Sequence, residues 1–267
     1  MFSLIEWYNK FMLSDLEFRE VFHFCFLEHL LKISDPGLYI LKGGVNLRFY
    51  FNSPRYSEDM DLDVIAGDVT TLKKNGYKIL EDSSFKKKLK TFGIEDLELS
   101  DPAKAKHTKT TQRFKLRLID ISGNKLATKI EFSRREKTHS SYIHLTERVD
   151  VDVAGKYNRL AFLAQHYSAS TAVLQKLEAL AYRKQVEARD AFDIFIIYLG
   201  GHLSKSFSCK LVPDEVLERA RNSLESICYK EYESKVLEFL SDENRHEYDG
   251  ELRWCEIKKT IRKIINS

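Results

Sequence analysis

Asp59, Asp61 and Asp63 stand at alternate positions in the run Glu58-Asp59-Met60-Asp61-Leu62-Asp63-Val64-Ile65. In an extended strand every second side chain points to the same face. Met60, Leu62 and Val64 would then pack toward a core while the three acids line up on the opposite side. Two carboxylates about 4 Å apart repel by ~4 kcal/mol at an effective dielectric of about 20. A divalent cation turns that repulsion into attraction, and a cluster of oxygen ligands suits Mg²⁺ or Mn²⁺. A bare D-x-D is short and common, however, and taken alone a solvated strand face accounts for it better.

The preceding stretch changes that balance. Leu38-Tyr39-Ile40-Leu41 is an apolar run suited to a buried strand, and Gly43-Gly44 interrupts it. Val45, Leu47 and Phe51 then have the spacing of a short helix, which Ser53-Pro54 stops. A strand that ends in glycines and opens a helix offers backbone N–H groups and a positive helix end to phosphate. Phosphate donors and metal-binding acids together fit a nucleoside triphosphate with its metal.

A second charged constellation lies between Ser168 and Leu199, where the pattern is helical. Val173, Leu177, Leu180 and Ala181 form an apolar stripe, with Lys176 and Arg183 two turns apart on a neighbouring face. Asp190 and Asp193 share a face at i, i+3, and Arg189 can reach Asp193 at i, i+4. A salt-bridged helix surface of little energetic worth has the same appearance. Asp193 sits beside Phe192 and Phe195, where a carboxylate is costly unless paired.

Several elements must position these groups. Ser14-Asp15-Leu16-Glu17 is a capping box that opens a helix to about Leu31, which Ser34-Asp35-Pro36-Gly37 ends. His23 and His29 fall in it as packing or surface residues. The segment 68–109 carries Lys73, Lys74, Lys78, Lys86, Lys87, Lys88, Lys90, Lys104, Lys106 and Lys109 among several acids. It reads as a solvated helix and loop face, or as a phosphate-contact surface. Gln112–Ile121 and Leu126–Ser133 alternate as two strands of a hairpin around Ser122-Gly123-Asn124-Lys125. Glu131 there points away from Ile130 and Phe132. Near Val151–Tyr157 the strand pattern fades into helix. Pro213-Asp214-Glu215 is a helix start, residues 242–250 form a polar connection, and Glu251–Ile265 is a last helix. The fold class expected is α+β: a mixed sheet with flanking helices over residues 1–155, then a helical bundle over 156–267.

Lys42-Gly43-Gly44-Val45-Asn46-Leu47-Arg48 followed by Arg55-Tyr56-Ser57-Glu58-Asp59-Met60-Asp61-Leu62-Asp63 resembles the KGG-x-x-LR…R-x-S-x-D-x-D-x-D signature of the AbiEii/AbiGii toxin family, part of the nucleotidyltransferase superfamily. Lys176-x-x-Ala179-Leu180, Arg183 and Ala188-Arg189-Asp190-x-x-Asp193 resemble its K-x-x-A…R…RD-x-x-D motif. Val45 departs from the small hydroxyl residue more usual there. The resemblance implies a nucleotidyltransferase-like sheet and metal-dependent transfer of a nucleotide from an NTP to an acceptor, with tRNA known for some members. It also implies a toxin of a toxin–antitoxin or abortive-infection system, restrained by a cognate antitoxin. Carried onto this chain, Asp59 and Asp61 would hold Mg²⁺ or Mn²⁺, with Glu131 as the third carboxylate. Gly43, Gly44 and Ser57 would hold phosphates. Arg48 and Arg55 would neutralise charge or be structural. Lys176 would take the triphosphate, and Asp190 and Asp193 would position Lys176 or the acceptor, or one would act as base. The active site is then expected in the cleft between the two domains, with Lys176 and Asp193 facing Asp59 and Asp61. The alternative is an inactive nucleotide- or RNA-binding module of the same fold. A D-x-D sugar-nucleotide transferase leaves Gly43-Gly44, Lys176 and Asp193 without a role.

Composition sets the outer bounds. The 267 residues suffice for one large or two modest domains, and 43% hydrophobic with 31% charged residues describes a soluble globular chain. A net charge of +3 permits a polyanionic partner without demanding one. Cys25, Cys209, Cys228 and Cys255 form no C-x-x-C pair, which favours free thiols in a reducing cytoplasm. The start MFSLIEWYNK lacks the features of a signal peptide, and no apolar run is long enough to span a membrane.

Overall fold

The computed structural model describes residues 13–101, 107–134, 142–204, 207–209 and 212–266. The N-terminal stretch discussed above, and Lys104 and Lys106 of the lysine-rich run, lie outside the described residues. Helix α1 (Asp15–Ile33) opens on the expected capping box: the Ser14 N–H donates to Glu17 Oε2 at 2.7 Å, and the Glu17 N–H donates to Ser14 Oγ at 3.4 Å. Strand β1 (Tyr39–Lys42), helix α2 (Gly43–Tyr50) and strand β2 (Asp59–Val64) follow. Helices α3 (Val69–Glu81) and α4 (Ser83–Lys90) lead into strands β3 (Ile94–Leu99), β4 (Thr111–Asp120) and β5 (Lys125–Ser133). Then come β6 (His144–Arg148), α5 (Val151–Lys156), β7 (Leu163–Tyr167), α6 (Ala169–Tyr182) and α7 (Ala188–Leu199). The chain closes with α8 (Asp214–Ser226), α9 (Tyr229–Lys235), α10 (Asp242–Tyr248) and α11 (Glu251–Ile265). The architecture is α+β with mixed strand directions.

The chain divides into two compact units, residues 1–41 with 57–137 and residues 42–56 with 138–267. In the first unit five strands run in the order β3-β4-β5-β2-β1. Strand β2 is parallel to β5, whereas β3/β4 and β4/β5 are antiparallel. Alternation places Met60 and Leu62 of β2, Phe114, Leu116 and Leu118 of β4, and Ile130 and Phe132 of β5 on a buried face. Helices α1 and α3 cover that face. Phe26 of α1 packs on Phe132 with ring centroids 6.5 Å apart, and α3 comes so close that a Cβ on Gly76 would run into the Phe114 ring.

In the second unit β6 and β7 form an antiparallel pair, Thr146 opposite Gln165. The helices α6 to α11, with Leu47 and Phe51 from the α2 segment, enclose an apolar core that includes Val173, Leu177, Phe192, Trp254 and Ile257. Tyr232 stacks on Trp254 with centroids 4.5 Å apart, and the Trp254 indole N–H donates to the Ile227 carbonyl at 3.3 Å.

Four local expectations are corrected by the structure. Strand β3 stands inside the lysine-rich stretch read as helix and loop. Helix α5 stands where the strand pattern fades, as expected, but a further strand, β7, follows it. The 168–199 run is two helices, separated at residues 183–187. Residues 242–250 hold α10. All four cysteines are free, Cys25 and Cys209 buried and Cys228 and Cys255 exposed. Among the described residues no helix is long and apolar enough to cross a membrane.

Candidate active site

Strand β2 does what its alternation demands: Met60 and Leu62 are buried, and Asp59 and Asp61 project partly exposed from the other face. Its parallel neighbour β5 sets the register Asp59↔Lys129, Asp61↔Glu131 and Asp63↔Ser133. Cross-strand partners share a face and lie about 5 Å apart. Glu131 therefore stands beside Asp61 on the acidic face, while Ile130 and Phe132 face the core.

Asp59, Glu131 and Asp63 each have a basic or hydroxyl neighbour. Lys129 Nζ is 3.0 Å from Asp59 Oδ2. Arg113 Nε donates to Glu131 Oε2 at 2.5 Å. Ser133 Oγ donates to Asp63 Oδ1 at 2.8 Å. Ser57 spends its hydroxyl proton on the Asp59 carbonyl at 2.9 Å, which ties the approach to β2. The strand is also anchored from beneath by a buried pair. Thr128 Oγ1 donates to the Glu58 carbonyl at 2.6 Å, so the 2.9 Å contact between Thr128 Oγ1 and His23 Nε2 makes the imidazole the donor. Burial, with a smaller effect from Arg19, lowers the His23 pKa to about 3. The ring is neutral at physiological pH.

Among the described residues no three His, Cys, Asp or Glu side chains are grouped to hold a metal ion. Mg²⁺ rarely uses such a cage, because it keeps several waters and is bound through one or two carboxylates plus substrate phosphates. Asp59 and Asp61, side by side on an accessible strand face, have the donor chemistry for that arrangement. Glu131 is adjacent, but its Oε2 is engaged by Arg113.

In the second unit Gly43 and Gly44 form the first turn of α2, with Gly43 at φ 69°. That positive φ is one a side chain disfavours. Val45 is buried. Asn46 pins the helix to β7: its Nδ2 donates to the Tyr167 carbonyl at 3.0 Å, and its Oδ1 lies 3.0 Å from His166 Nδ1. Tyr50 stacks on the His166 ring at 3.6 Å, nearly parallel. Arg48 Nη1 donates to the Ser53 carbonyl at 2.8 Å, and its guanidinium lies 4.3 Å above the Tyr56 ring. Lys156 Nζ donates to the Tyr56 hydroxyl at 2.5 Å. Arg48 and Lys156 also line a cleft of about 250 Å³ with Asn52, Asp150, Asp152 and Val153.

The second motif folds into a buried charge network. Asp190 and Asp193, one turn apart on α7, are fully buried. Lys176 of α6 reaches both, 2.9 Å from Asp190 Oδ1 and 2.6 Å from Asp193 Oδ2. Arg55 closes on Asp193 through Nε at 3.0 Å and Nη2 at 2.9 Å to each carboxylate oxygen. Arg55 is itself held by donating to the Tyr56 carbonyl at 3.1 Å and by backbone pairing with Leu240. Arg183 Nη2 lies 3.2 Å from Asp190 Oδ2, within ion-pair range but outside hydrogen-bond geometry. Burial by itself raises the Asp193 carboxyl, yet the Arg55 and Lys176 charges outweigh it and hold it below its ordinary value. Burial likewise lowers the Lys176 ammonium, and Asp190 and Asp193 more than restore it, so it stays protonated.

The expected Arg189–Asp193 pair does not form. Arg189 bonds Glu187 instead, because Asp193 points into the unit and is already satisfied there. Sequence reasoning left Arg55 as either a charge neutraliser or a structural residue; its bidentate grip on Asp193 joins the first motif to the second across 138 positions. The signal for that pairing was the need of a carboxylate flanked by Phe192 and Phe195 for a cation.

The family model described as Nucleotidyl transferase AbiEii toxin, Type IV TA system, matches residues 25–263. No curated protein matches the sequence. Among solved structures, MenT4, a nucleotidyltransferase toxin from Mycobacterium tuberculosis H37Rv, aligns over 94% of this chain and 82% of its own at 15% identity and a TM-score of 0.54. At that identity the likeness establishes a common fold. JHP933 from Helicobacter pylori aligns over 96% of this chain and 95% of its own at 16% identity and a TM-score of 0.49.

Proposed function

The chain belongs to the AbiEii nucleotidyl transferase toxin family of type IV toxin–antitoxin systems, and from that premise we propose that it moves a nucleotide from an NTP to an RNA acceptor, tRNA included, with Mg²⁺ or Mn²⁺. A hydroxyl oxygen of the acceptor loses its proton to solvent and forms a bond to the α-phosphorus, the bond from that phosphorus to the bridging oxygen breaks, and pyrophosphate leaves with that oxygen. The observation that carries this reading is the face of β2 and β5, where Asp59 and Asp61 alternate outward and Glu131 is in register with Asp61.

Asp59 and Asp61 are the proposed metal ligands, with Glu131 beside them as the third acid. When bound, the cation supplies positive charge to the triphosphate and to the entering and leaving oxygens. The remaining roles fall to the chain's own groups. Gly43 and Gly44 offer N–H groups of a helix N-terminus to phosphate oxygens, and Ser57 holds the backbone at Asp59. Arg48 adds charge near α2. Lys176 acts as a fixed cation for the triphosphate. Asp190 and Asp193 keep it charged and oriented, and the buried ion pairs both carboxylates already make favour this positioning role over that of a base.

A cognate antitoxin restrains the activity in this proposal, the reaction takes place in the cytoplasm, and abortive infection is one setting for it. The test is incubation of the protein with each NTP labelled at the α-phosphate, Mg²⁺, and total RNA or total protein. Label is expected in RNA and is expected to vanish in Asp59→Ala. Label in protein instead of RNA would make the acceptor a protein. Binding of Mg²⁺–NTP that is unchanged in Asp61→Asn, with no transfer by the unaltered protein, would identify a binding module instead.

A further inference from the structure

The face that carries the acids does not end at β5. Its outward positions continue in register across β4: Arg113 opposite Glu131, Lys115 opposite Lys129 and Arg117 opposite Ala127. Together β4 and β5 present Arg113, Lys115, Arg117, Lys125 and Lys129 outward, with Glu131 as their one acid. The ion-pair partners drawn to these cations are Glu131, Asp59 and Glu98, the last shared by Arg117 at 2.9 Å and Lys125 at 2.6 Å. Positive charge is therefore left over on the strip.

Lys115 is where the surplus is clearest. It is exposed and directly opposite another lysine, and its side chain has no ion pair or hydrogen bond among the described residues. Like charges placed opposite each other destabilise a strand pair, so folding alone gives no reason for Lys115 to be basic. Lys115, Lys129 and Asp59 form one row across three neighbouring strands, which sets Lys115 roughly 10 Å from Asp59. Along β4 the cations recur at ~7 Å intervals, the form of a linear track rather than of a point site.

We propose that the outward face of β4 and β5, centred on Lys115 and Arg117, binds the phosphodiester backbone of a single-stranded nucleic acid whose reacting end lies at Asp59 and Asp61. The inference rests on the proposed transfer reaction and adds to it the path of the acceptor. A repeating polyanion matches a repeating line of cations, and such contacts position a strand without reading its bases. The lysines of α3 belong to a different surface, since that helix packs on the Phe114 side of the sheet. Lys73, Lys74 and Lys78 are exposed there and serve as an internal control.

The experiment is fluorescence-anisotropy titration of a labelled single-stranded RNA, and of DNA of the same sequence, at a series of salt concentrations. Binding of a fluorescent Mg²⁺–NTP is measured in parallel. For a single strand, the slope of log K against log salt falls by ~0.7 for each phosphate that the protein no longer neutralises. Lys115→Gln is expected to lower it by ~0.7 and Lys115→Gln with Arg117→Gln by ~1.4, with NTP binding unchanged. Lys73→Gln with Lys74→Gln is expected to leave the slope as it was. Preference between the RNA and DNA arms identifies the polymer. An unchanged slope in the β4 variants, an equal decrease in the α3 control, or no binding of either polymer would overturn the track and leave the transfer reaction standing. A reduced slope in the β4 variants together with no NTP binding by the unaltered protein would uphold the track and remove the proposed function.

Discussion

Arg55→Met is the most searching perturbation of the second unit. The Arg55 and Asp193 side chains are 4% and 0% exposed, so neither charge is relieved by solvent. Breaking a buried pair by removing one partner costs about 3–5 kcal/mol. Here Lys176 remains 2.6 Å from Asp193 as a second counter-ion, which puts the expectation at the low end, about 3 kcal/mol. Asp193→Leu leaves Lys176 with Asp190 but takes from buried Arg55 the carboxylate it grips, and should cost about 4–5 kcal/mol. Arg55→Met combined with Asp193→Leu removes both charges, so the double variant should be more stable than the sum of the singles predicts, by about 2–3 kcal/mol. The assay is urea unfolding followed by fluorescence of Trp254, buried in the core of that unit, in a Trp7→Phe background. With m of about 1–3 kcal/mol/M, a 3 kcal/mol loss moves the midpoint by about 1 M or more. The pH dependence has a definite sign. Asp193 has a depressed folded pKa, so its contribution is present above the ordinary value of 3.8 and is lost as pH falls through the depressed one. The gap between the parent and Arg55→Met should therefore be full at neutral pH and narrow as pH falls toward the depressed Asp193 value. A cost below about 1 kcal/mol, or single-variant effects that simply add, would refute this account of the network.

Asp61→Asn should lower nucleotide transfer by more than about 100-fold without moving the urea midpoint, and chelation should abolish transfer until Mg²⁺ or Mn²⁺ is restored; the labelled-NTP assay checks both. His23 titrates near 3 in the folded chain against 6.5 unfolded, so its contribution is present above pH 6.5 and is lost as pH falls toward 3, at up to ~1.4 kcal/mol per pH unit. The stability–pH curve of His23→Leu should lack that component. Gly76→Ala forces a methyl into the Phe114 ring and should destabilise the first unit by about 1–3 kcal/mol, read as a lowered Tm with retained helical circular dichroism.

The elements legible in the sequence were those whose burial pattern is periodic and whose ends carry their own caps. Strand β2 shows its two faces in six residues, and β4 and β5 alternate almost without fault. Ser14 with Glu17 announces α1, and α11 has the predicted bounds. Strand β3 escaped because its register shifts between Ile94 and Asp96; such an irregularity breaks the period of two that reveals a strand. Strand β6 escaped for another reason: all five residues are exposed, so it has no apolar face to read.

By itself the sequence determined the chemistry at hand: which acids share the outward face of β2, that Glu131 points away from the core of its hairpin, and where glycines open a helix. These follow from repeats of two and 3.6 residues, which local backbone geometry imposes wherever a strand or helix forms. Only the tertiary structure decided which charges meet. It paired Arg55 with Asp193 across 138 positions, gave Arg189 to Glu187, and set Lys115 against Lys129. A buried carboxylate must find a cation, but nothing in chain order says which one. That choice is made when packing excludes water and leaves only certain donors within reach.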